Sequence, residues 1–149
     1  MSASSSWAET TIASLHAKGH RNSGARRAVV ELLGRQDCCL TAQEIFDQLR
    51  AEGRRVGIAS VYRVLEQLSK DGFVQRIDIG AGTTRFEPIH ADGEHHHHLV
   101  CDRCGRVEEV ALGKLEPFFE TLKREFDFEV DRRHFALVGV CGDCRLRAR

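Results

Sequence analysis

An α+β fold is what the sequence predicts, and three observations carry it. Apolar residues recur at helical spacing between residues 7 and 70. The spacing then changes to a period of two around a glycine-containing turn. Two C-x-x-C motifs, 36 residues apart, bracket most of a second and smaller half that reads as strand, knuckle, strand, helix and strand.

The helices have recognisable ends. A first helical stretch runs from about Trp7 to Lys18 and closes at Gly19. Asn22 or Ser23 can cap a second, reaching about Gln36, with Ala28, Val29, Leu32 and Leu33 on its apolar side. Thr41-Ala-Gln-Glu44 fits a capping box, in which the threonine hydroxyl takes a backbone donor and the glutamate reaches back. The helix it opens carries Ile45, Phe46 and Leu49 and ends near Gly53. A fourth presents Val61, Val64, Leu65 and Leu68, and stops at Asp71-Gly72, where glycine supplies a left-handed cap.

Phe73–Ile79 and Thr83–Glu87 flank Gly80-Ala81-Gly82 as a hairpin. Helices followed by a hairpin is the order of a winged helix-turn-helix, over residues 1–87. Pro88–Glu94, with Pro, Gly and small polar residues, reads as a linker. Residues 95–149 then predict a strand–knuckle–strand over about His95–Val110, a helix over about Pro117–Phe126 and a strand over about Phe128–Val140.

Composition narrows the function classes. No apolar run approaches the roughly 20 residues that span a bilayer, and Met1–Ser6 lacks the character of a secretory leader. The expectation is a cytoplasmic protein with no membrane partner. Disulfides are uncommon there, so six cysteines point first to metal. The net charge is zero, yet residues 1–76 hold 11 Lys/Arg against 8 Asp/Glu, and residues 77–149 hold 11 against 14. A basic front half suits a polyanion and an acidic back half a cation.

Cys101-Asp-Arg-Cys104 and Cys141-Gly-Asp-Cys144 carry the strongest chemistry. Each pair turns two thiolates inward, and two pairs complete the tetrahedral sulfur site that suits structural Zn(II). One such pair beside a βαβ unit would read as a redox motif; two pairs favour zinc. His95-His96-His97-His98 lies just before Leu99-Val100-Cys101. Alone it reads as a polar strand end. Strand alternation sends His95 and His97 to one face and His96 and His98 to the other, so the four can serve two metal sites. Glu87, His90, Asp92, Glu94, Glu108, Glu109, Glu116 and His134 are available to complete them, and mixed N/O ligands suit Zn, Fe, Mn, Co or Ni.

These residues resemble the ferric uptake regulator family from about Leu15 to Cys144. The resemblance rests on Ile58-Ala-Ser-Val-Tyr62-Arg63-Val-Leu, the histidine run, Leu-Val-Cys101-x-x-Cys104-Gly and Gly139-x-Cys141-x-x-Cys144. It implies a winged-helix DNA-binding domain (1–87), a hinge (88–94) and an α/β dimerisation domain (95–149). It also implies a homodimer that binds double-stranded operator DNA when a regulatory metal is loaded. The four cysteines match the family's structural zinc site. Glu87, His96, His98 and Glu109 fall where its hinge site draws regulatory ligands. Many members add a histidine where this chain has Cys39, and a thiolate there favours Zn(II) over Fe(II) by softness. Cys38 and Cys39 read equally well as small buried hydrophobes. His90 lies near where zinc-sensing members place a cysteine ligand, and so competes with Glu87. His95, His97, Glu116 and His134 match a second site, although His134 is one residue closer to Cys141 than the family spacing, which reverses its face in a strand.

For DNA, the resemblance places the Ser60–Lys70 helix in the major groove, with Ser60, Tyr62 and Arg63 at the contact. Arg21 matches a basic residue reaching the minor groove or phosphates, and Arg26, Arg54 and Arg55 suit phosphates. Any one of these arginines alone reads as readily as a solvated helix face, and Tyr62 as a core aromatic. The second helix opens Ser23-Gly-Ala-Arg26, where the family often has Thr-x-x-Arg or a proline. The expected function is therefore a metal-responsive repressor, zinc favoured and iron next, in which ligands from both domains let metal fix the spacing of two recognition helices. Two rivals stand beside it. A hydrolytic zinc enzyme would act on a small organic substrate, but the chain has no H-E-x-x-H or H-x-E…P-C-x-x-C pattern, so no catalytic residue is assigned. A peroxide or redox sensor of the same fold differs in stimulus alone.

Overall fold

The computed structural model describes residues 3–36, 39–79, 82–90, 97–130 and 136–148. The chain divides into two compact units: Met1–Arg76 with Thr84–Asp92, and Ile77–Thr83 with Gly93–Arg149.

The first unit holds helices α1 (Ala3–Ala17), α2 (Gly24–Arg35), α3 (Ala42–Ala51) and α4 (Ile58–Lys70). A three-stranded sheet β1 (Leu40–Thr41), β2 (Val74–Asp78) and β3 (Thr84–Pro88) is ordered β1-β3-β2. The caps act as their residue types predict. Ser23 accepts from the Arg26 backbone N–H, and Thr41 and Glu44 form a complete capping box. Gly72, at φ 78°, follows the Asp71 cap of α4. The apolar stripes converge on one core that includes Leu15, Val29, Leu33, Ile45, Leu65 and Phe86. Tyr62 is not part of it; at 55% exposed it stands on the outer side of α4.

Strand β4 (His97–Cys101) lies at the centre of the second unit's sheet, ordered β5-β4-β6. It is antiparallel to β5 (Val107–Val110) and parallel to β6 (Ala136–Gly139). Helix α5 (Leu112–Phe126) makes the crossover that a parallel partner requires, and α6 (Gly142–Arg147) ends the chain.

Four elements differ from the sequence expectation. The two-residue strand β1 is too short to leave a periodic signal. Helix α5 begins at Leu112 rather than Pro117, and carries Pro117 inside it. Proline is at home in a first turn and further in forfeits a backbone bond, so the earlier start is hidden. Among the described residues the last strand is Ala136–Gly139, and 128–130 are not strand; residues 131–135 of the expected strand lie outside the described residues. Helix α6 was not expected, its six residues carrying no clear apolar side. Smaller shifts occur at the start of α1 and the end of α2. Among the described residues no helix is long and apolar enough to cross a membrane.

Candidate metal centre

Parallel pairing of β4 with β6 builds the cysteine site. The register sets Cys101 beside Gly139, so Cys141, two residues further on, emerges at the same end of the sheet as the Cys101 knuckle. That explains the long spacing between the motifs: the intervening residues are β5, the crossover helix and the returning strand. The knuckle is closed by Gly105, at φ 73°, whose N–H donates to the Cys101 carbonyl at 2.9 Å, while the Cys101 N–H donates to the Arg106 carbonyl at 2.8 Å. The Asp102 N–H donates to the Gly139 carbonyl at 2.9 Å and ties the knuckle to β6. Cys141 precedes the first turn of α6 and Cys144 lies within it.

The four sulfurs lie within 4.8 Å of one another. Cys104 Sγ and Cys141 Sγ are 3.7 Å apart. A tetrahedral Zn–S bond of about 2.3 Å puts neighbouring sulfurs about 3.8 Å apart, whereas a disulfide needs about 2.05 Å; these cysteines are free thiols at the separation that a zinc ion requires. The electrostatics agree. The Cys141 backbone N–H, 3.3 Å from Cys101 Sγ, is the main influence that brings the Cys101 thiol down to about 6, with the Cys104 backbone assisting. Hydrogen bonding to the Cys104 and Cys141 side chains, followed by burial, pushes Cys144 up to about 12. One thiol ionises readily and another resists, as expected of crowded sulfurs that need a cation before all can lose their protons. Arg106 reaches from the first knuckle to Asp143 of the second pair at 3.2 Å. That cross-link was not anticipated, since nothing in either C-x-x-C names a partner outside its own motif.

The remaining ligand candidates divide between the units. In the first, Leu40 stands opposite Phe86 and Thr41 opposite Arg85. Cys39 immediately precedes β1, and Glu87 follows Phe86 on β3, so alternation turns Glu87 to the face opposite Phe86. Both are buried, Cys39 to 1% exposure and Glu87 to 7%. Arg85 donates to the Cys39 carbonyl at 3.2 Å and pairs with Glu44, also at 3.2 Å. Gln75 Nε2 donates to Glu87 Oε2 at 2.7 Å. His90 is half-buried, its ring 6.3 Å from that of Trp7.

In the second unit His98 lies directly opposite Glu109, so these two share a face of the β4–β5 pair. His97 points to the other face and packs on Phe119 of α5, ring centroids 5.7 Å apart. Glu116 precedes Phe119 by three residues, which puts it on the same side of α5. Both histidines are almost fully buried. His95, His96, His134 and Cys38 lie outside the described residues.

The expected DNA-contact residues lie on the first unit. Arg63 Nη2 donates to Ser60 Oγ at 3.2 Å on the exposed side of α4. The Arg26 guanidinium donates to the Arg21 carbonyl, which joins two candidate contacts at the start of α2. Arg54 is paired with Glu31 at 3.1 Å, and Arg55 is exposed.

The sequence profile of the ferric uptake regulator family matches residues 17–138. The chain belongs to the ferric uptake regulator family. It is 31% identical over 132 residues to the ferric uptake regulation protein of Bacillus subtilis, covering 87% of this chain and 89% of that one. The peroxide-responsive repressor PerR of Staphylococcus epidermidis is 26% identical over 137 residues, 92% and 89% of the two chains. Among solved structures the Helicobacter pylori ferric uptake regulator, described as having three functional metal binding sites, superposes with a TM-score of 0.76 at 27% identity, covering 97% of this chain and 95% of that one. This member of the family is accordingly a metal-responsive transcriptional regulator with an α+β fold and a cysteine cluster able to hold zinc.

Proposed function

We propose that this regulator is a repressor that binds operator DNA as a homodimer when a divalent metal, zinc in preference to iron, is bound by Glu87, His96, His98 and Glu109 with Cys39 or His90. The observation that carries the reading is the pairing of donors in the second unit, where His98 stands opposite Glu109 on β4–β5; in the first, Glu87 on β3 and Cys39, just before its partner strand β1, are both buried. Each unit thus offers half a ligand set of thiolate, carboxylate and imidazole, which fits a divalent transition metal, and the thiolate tips it towards zinc. Metal that binds the DNA-competent arrangement more tightly than the others shifts the population towards it. The cysteine quartet holds a separate structural zinc. His97 and Glu116, with His95 and His134, form the second site.

The second unit supports the homodimer. It leaves Leu99, Leu137, Val138 and Phe118 partly exposed, apolar surface that a partner copy could cover. No catalytic role is assigned, since the donors are absorbed by binding.

The test is a DNA-mobility titration of protein stripped of regulatory metal but holding its cysteine-bound zinc, with Zn(II), Fe(II), Mn(II) and Ni(II), counting metal per chain. Zinc should drive operator binding at the lowest free concentration, and Cys39→Ser should erase that advantage. Operator binding independent of every metal would overturn the reading. The likeness to PerR favours a second one, peroxide sensing, which predicts loss of DNA binding on peroxide treatment of the iron-loaded protein alone.

A further inference from the structure

We infer that Gln75 positions Glu87 for the regulatory metal and sets how tightly that metal is held. This rests on the proposal that Glu87 is a ligand. Gln75 lies on β2, Glu87 on β3 and Cys39 at the edge of β1, three adjacent strands of one sheet in the order β1-β3-β2. Val74 and Phe86 both point into the core, so alternation turns Gln75 and Glu87 to the opposite face together. There the Gln75 amide donates to Glu87 Oε2 at 2.7 Å, at the short end of the N–H···O range. Glu87 is buried, and a buried carboxylate oxygen needs a hydrogen-bond partner, which Gln75 supplies.

Two effects of the amide oppose each other. Drawing charge towards Oε2 makes the carboxylate a weaker donor to metal. Holding its plane before metal arrives makes it a better organised one. Outer partners of metal ligands cost 10–100-fold in affinity when removed, so organisation outweighs the loss of donor strength. Nothing in the sequence motifs marks Gln75. The link is visible only once β2 and β3 pair.

The experiment is a competition titration with Zn(II) against a chromophoric chelator, using the full chain with its cysteine zinc in place, for wild type, Gln75→Ala, Glu87→Ala and the double variant. Gln75→Met, of similar volume with no donor, is carried in parallel so that a packing loss in Gln75→Ala is recognised. We expect Gln75→Ala and Gln75→Met to weaken one zinc-binding step 10–100-fold, Glu87→Ala to weaken the same step at least as much, and the double variant to be no weaker than Glu87→Ala alone. That last comparison separates action through Glu87 from general loosening, which would add to the glutamate's effect. Wild-type affinity in both Gln75 variants beside a weakened Glu87→Ala overturns this inference and leaves Glu87 as a ligand. Unchanged affinity in Glu87→Ala removes Glu87 from the ligand set and the inference with it. Additive losses in the double variant also overturn the inference.

Discussion

His98 on β4 stands directly opposite Glu109 on β5. Opposed residues in an antiparallel pair hold their Cβ atoms about 5 Å apart on one face, close enough for an imidazole and a carboxylate to share one ion. Cys101 lies three residues beyond His98 and so points to the other face of the same strand. His98→Ala and Glu109→Ala should therefore each weaken the regulatory metal by more than about 10-fold, no less than the loss of an outer partner costs, without removing the zinc on the cysteines. Metal analysis alongside a competition titration checks this. Loss of the cysteine-bound zinc in either variant would show that the two sites are not separable.

The cysteine quartet makes a different prediction. Cys104→Ser removes one corner of a sulfur cluster in which Cys104 and Cys141 lie 3.7 Å apart. Zinc content should fall by one ion per chain, and the second unit should melt at lower temperature, because an ion held there would clamp the knuckle to the end of β6. The core of the first unit contains none of these cysteines, so its transition should hardly move. Calorimetry with zinc counting separates the two transitions; unchanged zinc content in the variant would refute the assignment.

On the DNA side, Arg63 is exposed on the same side of α4 as Tyr62, whereas Arg54 is occupied by Glu31 at 3.1 Å. Arg63→Ala should cost about 1–3 kcal/mol of operator affinity, with folding intact because the side chain is solvent-facing. Arg54→Ala should cost less, since DNA must first displace an internal partner. Fluorescence anisotropy on operator DNA at two salt concentrations measures both. Equal losses would mean that the Glu31 pair has no bearing on binding.

Asp71 offers a test by pH. The Gln67 amide, 2.7 Å from Asp71 Oδ2, is the main cause of a carboxyl pKa held below its ordinary value, with Lys18 and His20 assisting and burial opposing. A depressed folded pKa means that the native state binds the proton less readily than the unfolded chain. The stabilisation is then fully present above the unfolded value, about 3.9, and is lost as pH falls through the folded one. Asp71→Asn should cost roughly 1 kcal/mol at neutral pH, and the gap to wild type should begin to narrow as pH falls below about 4. Thermal melts at pH 7 and pH 3.5 provide the comparison. A gap that persists undiminished in acid would assign the effect to packing.

The capped helices of the first unit were legible because their signals are local. Thr41 and Glu44 form a cap three residues apart, and Val61, Val64, Leu65 and Leu68 mark one side of α4 without reference to the rest of the chain. Pro117 misled for the same reason, since its local preference for a first turn says nothing of the residues before it. Strand β1 and helix α6 were too short for periodicity to register.

The candidate metal centre divides along the same line. Cys-x-x-C twice, the histidine run and their alternation are properties of residue type and spacing, so the sequence by itself pointed to metal, named the candidate donors and set His97 and His98 on different faces. Which donors from distant segments become neighbours is a question of register. Cys101 meets Cys141 because β6 runs parallel to β4, His98 meets Glu109 because β5 turns back at Gly105, and Gln75 holds Glu87 because β2 pairs with β3. A strand has the same local pattern whichever neighbour it takes, and a one-residue slip would turn every one of these side chains to the other face. Only the packed tertiary structure decides that.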